Sequence, residues 1–452
     1  MQLDMTKGKP LKLILTFMGP LLIGNIFQQF YSIADTIIVG NYLGMDALAA
    51  VGSTGSVSFF FLGSVQGLTA GFTVLTSQRF GAGDYEAMKK SVGNAIKLSI
   101  IVAIIVTIIS VMFIGDLLVL MKTPADIIDE ARLYISIICG GISATVMYNL
   151  SSGILRAIGN SRAPLYFLVM ATVINIGLDI LFIRGFGMNV EGAAIATIIS
   201  QTVSGLLCII YIVKKVPILH INREHLKLSK LVAGVQLKIG IPMALQFSIT
   251  AIGSIIAQSA LNLFGTVAVS AYTAATKVEQ IAMLPLFALG VTMSTYSAQN
   301  IGRNQVARIK EGARVSTFIT LLYSILIAII AIFSMPYLLK LFVRENYEQI
   351  LPYAQEYIVL TSCFYFPLGV IFIYRNVMQG CSYTFAPTFG GVIELIARCV
   401  VSGVATYVMS YTVVCLVNGI TWASAGIYLY LAYLMIFKKR RDGDMIVDKL
   451  KL

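Results

Sequence analysis

The chain has 452 residues, of which 58% are hydrophobic and only 12% charged, with a mean hydropathy of +0.85. Soluble globular domains carry about 25% charged residues, so there is too little polar material here to cover a water-soluble particle, and the abundance of Phe and Tyr excludes a disordered chain. The formal net charge of +12 would point to nucleic acid in a soluble protein, but the placement of the basic residues along this chain gives it another cause.

A helix needs about 20 apolar residues to cross the hydrocarbon core of a bilayer. Twelve such runs follow one another, at 13–42, 48–76, 92–120, 133–156, 162–184, 191–216, 238–264, 268–296, 315–340, 352–379, 386–410 and 411–437. The first follows Lys7, Lys9 and Lys12 in the manner of a signal peptide, but it is too long and has no small-residue cleavage site, so a retained helix is expected. With the N-terminus placed in the cytoplasm, 25 Lys and Arg fall on the inner side and five on the outer (Lys122, Arg132, Arg184, Lys340, Arg344). This is the positive-inside pattern for an even number of spans. It accounts for the basic charge without nucleic acid, and predicts a multi-pass protein of the cytoplasmic membrane with both termini inside.

The two halves resemble each other. GPLLIGNIFQQFYSIAD at 19–35 aligns with IPMALQFSITAIGSIIA at 241–257, TSQRFGAGD at 76–84 with SAQNIGRN at 297–304, and RAIGNSRAP at 156–164 with QGCSYTFAP at 379–387, all at offsets of 221–223. Six spans per repeat is an even number, so both copies enter the membrane the same way round. The expected architecture is an all-α membrane protein whose twelve helices form two parallel-related six-helix bundles, an arrangement typical of carriers. The basic 214–238 segment links an N-lobe, 1–225, to a C-lobe, 226–452.

An ionised side chain at mid-membrane costs roughly 2.5–3.5 kcal/mol on insertion scales, so charges inside the spans must line a cavity, pair or bind a ligand. The candidates are Asp35, Asp179, Lys277, Glu279, Arg375, Glu394 and Arg398. Asp35 lies in the outer half of span 1 and Asp179 near the outer end of span 5. Asn175 precedes Asp179 by four residues on the same helical face, and Thr197 on span 6 is expected at a similar depth. Two carboxylates, an amide oxygen and a hydroxyl are hard oxygen ligands for an alkali cation or a proton. The bland alternative has Asp35 at a helix break and Asp179 paired with Arg184. Residues 256–257 replace Asp35 in the second repeat, which confines this acidic site to the N-lobe.

Elsewhere, Glu394 and Arg398 are spaced i,i+4 and are expected to pair. Glu279 and Arg375 are candidate substrate contacts, Arg375 as a partner for an anionic group. Gly63, Gly67 and Gly71 recur every four residues and are expected to allow close helix approach. The six cysteines form no CxxC pair and read as small core residues. Trp422 is expected in an interfacial belt, and His220 and His225 as a solvated pair in the linker. No HExxH, GxSxG, GxGxxG or Walker A sequence occurs, so neither an enzyme nor a cofactor is indicated.

Twelve spans as two sixes, GP-x(14)-AD in span 1, N-x(3)-D followed by EGAAIAT, and the SQRFGAGD and SAQNIG loops together resemble the MATE family of multidrug and toxin extrusion transporters, in particular bacterial members of the DinF and MepA type. The resemblance covers nearly the whole chain. It implies export of amphipathic, often cationic compounds in exchange for Na⁺ or H⁺, by a protein expected to be monomeric. The family's N-lobe cation site maps onto Asp35, Asn175, Asp179 and Thr197, with Pro20 as the proline at which span 1 bends. Acidic residues that some members of the NorM type carry in spans 7 and 10 are replaced near Thr250 and Leu368. The rival readings are a lipid-linked saccharide flippase of the same broad superfamily and a non-transporting membrane receptor or channel.

Overall fold

The computed structural model describes residues 3–121, 123–342 and 347–442. Lys122, Arg344, Lys449 and Lys451, which entered the charge count, lie outside the described residues. Fifteen α-helices and no strand occur among those residues: α1 (Pro10–Leu43), α2 (Met45–Ser53), α3 (Gly55–Ala82), α4 (Tyr85–Leu120), α5 (Ile128–Gly140), α6 (Ile142–Ala157), α7 (Arg162–Ile180), α8 (Val190–Lys215), α9 (Lys230–Leu261), α10 (Gly265–Gly302), α11 (Val306–Phe342), α12 (Tyr347–Ser362), α13 (Tyr365–Gly380), α14 (Phe385–Val408) and α15 (Tyr411–Phe437).

Nine stretches are long and apolar enough to cross a membrane, and one of them, Lys230–Gly302, is 73 residues and holds both α9 and α10. Two further crossings are bent pairs, α5 with α6 at 44° and α12 with α13 at 47°. Counting α9 and α10 separately and each bent pair once gives the twelve expected crossings among the described residues. Long helices expose apolar stripes at helical spacing, such as Ile100, Ile104 and Ile108 on α4 and Phe318, Leu322, Ile325 and Ile329 on α11. Such faces are stable only against lipid.

The repeat is visible in the backbone itself. Positive-φ residues recur in pairs: Gly44 with Gly265, Gly83 with Asn304, Gly159 with Ser382, and Gly187 with Met409. The offsets are 221, 221, 223 and 222, the same as the sequence repeat. At the α3–α4 turn the left-handed residue is Gly83, and Asp84 caps α4 by accepting from the Ala87 N–H at 3.0 Å. Asn304 takes that left-handed place in the second copy, the non-glycine residue that tolerates it best. The SQRFGAGD and SAQNIGRN motifs thus include the two matching helix-to-helix turns.

By packing, the described chain divides into two compact units, one containing Thr16–Ser248 and the other Thr6–Leu15 with the chain from Ile249. The division lies inside α9 at Ser248/Ile249, whereas the lobe limit expected from the linker is 225/226. The glycine stripe of α3 is the reason. A Cβ on Gly67 would lie 2.7 Å from the Met243 carbonyl oxygen, one on Gly71 would lie 2.4 Å from Gly240 Cα, and one on Gly63 would lie 2.9 Å from the Phe247 ring. The start of α9 is therefore pressed against α3. Gln236 reinforces the contact by donating to the carbonyls of Phe72 and Ser91 at 3.1 and 2.9 Å.

Two expectations about single residues are corrected here. Trp422 is buried in α15, 4% exposed, instead of sitting in an interfacial belt, because α15 packs on both α13 and α14. Cys139, Cys208, Cys381 and Cys415 are core residues as expected, but Cys363 and Cys399 are exposed.

Alanine at Gly67 or Gly71 is expected to destabilise the protein by about 1–3 kcal/mol through overpacking against backbone. Alanine at Gly63, which meets the Phe247 side chain instead of backbone, is expected to cost less. Thermal unfolding of the purified variants checks this order, and three equal midpoints would contradict it.

Candidate functional site

Within the first unit, α1 and α7 carry the acidic residues and α8 the hydroxyl. α7 runs on into a π-helical turn, Leu181–Gly185, which begins two residues after Asp179. The chain then reverses through Gly187 and enters α8, whose start is tied down by Asn189. Its backbone N–H donates to Glu191 at 3.0 Å and its side-chain amide to Glu130 on α5 at 2.7 Å. These contacts fix the depth at which Thr197 faces the bundle.

Asn175 and Asp179 are both fully buried, and Asp35 is partly buried. Asp179 and Asp35 lie within electrostatic reach of each other. Both oxygens of Asp179, both polar atoms of the Asn175 side chain and one oxygen of Asp35 are buried with no hydrogen-bond partner. Asp179 makes no ion pair with Arg184, which is exposed. Thr197 reaches Tyr31 across the bundle, with 2.7 Å between the two hydroxyls.

Tyr31 was not anticipated, although it lies one helical turn before Asp35 on the same face. Tyr134 on α5 is also within electrostatic reach of Asp35, Asp179 and Tyr31, and no local pattern marks it. Beside this group is a cavity of about 20 Å³ lined by Gln28, Tyr31, Thr172, Asn175, Thr197 and Ser200 among others. That is room for about one water-sized occupant. The carboxyls of Asp35 and Asp179 stand one turn further along their helices than Tyr31 and Asn175, the residues that line it. Oxygen atoms without partners, two acids and a one-atom space suit a small monovalent cation or a proton.

Pro20 lies inside α1, which is helical on both sides of it. Lacking an N–H, it leaves the Thr16 carbonyl without its intrahelical donor. The packing division of α1 falls at this same residue, between Leu15 and Thr16.

The second unit has its own buried acid. Glu279 on α10 is 4% exposed and accepts from the Tyr357 hydroxyl at 2.7 Å. Asn418 on α15 donates to Tyr357 and Tyr272 at 3.2 and 3.4 Å, and the Tyr272 and Tyr357 rings meet edge-on at 4.6 Å. Arg398 acts on Glu279 electrostatically and donates to Ser254 on α9 at 3.2 Å. Gly253 makes room for it, since a Cβ there would lie 2.9 Å from Arg398 Cδ.

The expected Glu394–Arg398 pair is not formed. Glu394 is instead the ion-pair partner of Arg375 on α13, because α13 packs against α14 and presents its guanidinium there. Glu279 and Arg375, the two candidate substrate contacts, are thus each engaged by a protein partner and belong to different groups. Lys277 is exposed.

A profile of the MatE family matches residues 20–181 and again 242–404, two copies separated by the repeat offset. The chain is 28% identical over 444 residues to the probable multidrug resistance protein YoeA of Bacillus subtilis, covering 95% of each chain. It is also 28% identical to a FAD transporter of Shewanella oneidensis, over 81% of this chain and 82% of the relative. A solved transporter of the MOP superfamily from Pyrococcus furiosus superposes with a TM-score of 0.91 at 22% identity, over 97% of this chain and 98% of the other, a likeness of fold.

The Arg375–Glu394 pair is expected to behave as a buried ion pair. Arg375→Met alone should destabilise by about 3–5 kcal/mol by leaving Glu394 unpaired, and the double change R375M/E394M should recover most of that loss. A double-mutant cycle on thermal unfolding measures the coupling, and additive losses would refute it.

Proposed function

The chain belongs to the MatE family, and from that premise we propose that it is a secondary active efflux transporter, exporting amphipathic, often cationic compounds in exchange for Na⁺ or H⁺ by alternating access. The observation that carries the reading is the pair of acids in the first unit, Asp35 and Asp179, close enough to interact, with both oxygens of Asp179, one of Asp35 and the Asn175 amide oxygen buried without partners.

Two ionised carboxylates in a low-dielectric bundle repel, and a cation or proton between them relieves the repulsion. Asn175 supplies an amide oxygen and Thr197 a hydroxyl, already oriented by Tyr31. An ion drives transport only if it binds the two conformations with different affinity. Asp35 supplies such a difference if α1 bends at Pro20, because it is carried on the far side of that proline. In this scheme an external ion enters the site, α1 changes shape, and substrate leaves outward. The charge bias along the chain supports both termini lying in the cytoplasm.

Substrate chemistry is read from two sides. YoeA is named for multidrug resistance and the Shewanella relative for FAD. In the second unit Arg375 is paired with Glu394 and Arg398 acts electrostatically on Glu279, so neither of these two membrane-embedded arginines is free for an anionic nucleotide. This favours amphipathic cations, with Glu279 as the acidic contact of that unit.

The test is substrate flux in proteoliposomes with ΔpH and ΔNa⁺ imposed separately, using ethidium, norfloxacin and FAD as cargo. Cation flux driven by one of the two gradients is expected, falling to background in Asp35→Asn and Asp179→Asn variants of normal expression. Wild-type rates in both variants would eliminate the site, and flux of FAD alone would overturn the substrate class.

A further inference from the structure

On the face of α7 turned away from the polar cavity, a second cavity of the first unit opens between α7 and α1. It holds about 500 Å³, and its lining includes Ile23 and Phe27 of α1 and Tyr166, Val169, Met170 and Val173 of α7, with no charged residue. The two helices approach closely beside it, since a Cβ on Gly24 would lie 3.5 Å from Leu168 Cδ2. Tyr166 and Val173 are 65% and 67% exposed, so the cavity is a groove open along one side. An apolar surface of this kind is stable only against lipid or an apolar ligand.

Helical register places a charge at one end of the groove. Arg162 precedes Tyr166, Val169 and Val173 by four, seven and eleven residues, which stacks all four on one face of α7. Arg162 is exposed and has no hydrogen-bond or ion-pair partner among the described residues. α8 ends at the same place: Asn160, just before α7, donates to the Tyr211 hydroxyl at 3.4 Å, and Lys214 and Lys215 follow one turn later, both exposed. The acids of α7 and α8, Asp179 and Glu191, stand at the opposite ends of these helices, and α6 has none. In the second copy, FAP at 385–387 replaces RAP at 162–164, so Phe385 takes the place of Arg162. The basic end belongs to the first copy alone.

We propose that the groove and Arg162 form a binding site for one anionic phospholipid, its phosphate on Arg162 and one acyl chain in the groove. An extended hydrocarbon chain is the occupant that a lining without polar groups admits, and a phosphate is the bidentate partner that an unpaired guanidinium lacks. The lengths agree. From Leu165 to Ile174 the groove follows α7 for nine residues, about 14 Å of helix, against roughly 15 Å of hydrocarbon in one leaflet. Arg162, one turn beyond the groove, then lies at headgroup level, and Lys214 and Lys215 add to the field there. On α1 the chain touches Ile23 and Phe27, between Pro20 and Asp35, and the next residue, Gln28, lines the polar cavity. A bound lipid therefore braces that stretch of α1 on α7. The site does not depend on what the protein carries.

Fluorescence quenching by brominated acyl chains in nanodiscs tests it. Trp422 is the one tryptophan and is buried in the other unit, so a reporter introduced as Tyr166→Trp reads the groove. Brominated phosphatidylglycerol is expected to quench it with about fivefold preference over brominated phosphatidylcholine, the scale of one basic side chain at an anionic headgroup, and Arg162→Gln should reduce the preference to about one. A reporter at Ile104→Trp, on the exposed stripe of α4, should show no preference. Lys90→Gln removes an exposed basic residue on α4 and should leave the preference at the groove unchanged. Equal quenching by the two lipids at the groove, a preference that survives Arg162→Gln, or an equal loss in Lys90→Gln would overturn the site. Quenching relieved by ethidium regardless of headgroup would assign the groove to cargo and overturn it as well. If Tyr166→Trp fails to fold, Met170→Trp serves as the reporter under the same criteria.

Discussion

A carboxylate inside a lipid-embedded helix bundle has lost its water, and the rest of this structure is arranged around that loss. Insertion scales put the cost of each such charge at roughly 2.5–3.5 kcal/mol at the helix centre, too much to leave uncompensated several times over. The two units compensate differently. In the second, protein groups do the work: Arg375 takes Glu394, and Tyr357, backed by Asn418 and Arg398, takes Glu279. In the first, Asp35 and Asp179 lie within electrostatic reach of each other, with both oxygens of Asp179 and one of Asp35 that no side chain satisfies. An unbalanced pair of like charges is unstable unless something exchangeable joins it, and that difference between the repeats is what singles out the first as the candidate site.

Much of this was legible in the sequence. Hydropathy fixes where the chain crosses the membrane, since only helices can satisfy their backbone there, and all twelve runs correspond to helices or bent helix pairs. The repeat was readable from three short motifs, and its signature in the structure is four turns with left-handed residues at matching positions. The spacing Asn175–Asp179 and the isolation of Asp35 identified residues that the fold does bring near one another.

What was not legible depends on contacts between helices far apart in sequence. Glu394 has Arg398 one turn away and Arg375 on a different helix, and the choice between them is made by how α13 lies on α14. Tyr134 and the cage around Glu279 come from separate helices in the same way. Trp422 shows the limit of a compositional rule, because an aromatic residue in a span is equally at home in a tightly packed interior. His225, expected in solvent and found buried, misled for a local reason: its surroundings are charged and polar, yet the glycine at position 93 lets the linker sink onto α4 and take the ring with it.

Each repeat opens with a proline-containing helix, α1 or α9, and in each case the opening stretch is grouped with the opposite unit: Thr6–Leu15 with the second, and the start of α9 up to Ser248 with the first. This reciprocal exchange has the form of a domain swap frozen into one polypeptide. Neither repeat is then a self-sufficient folding module.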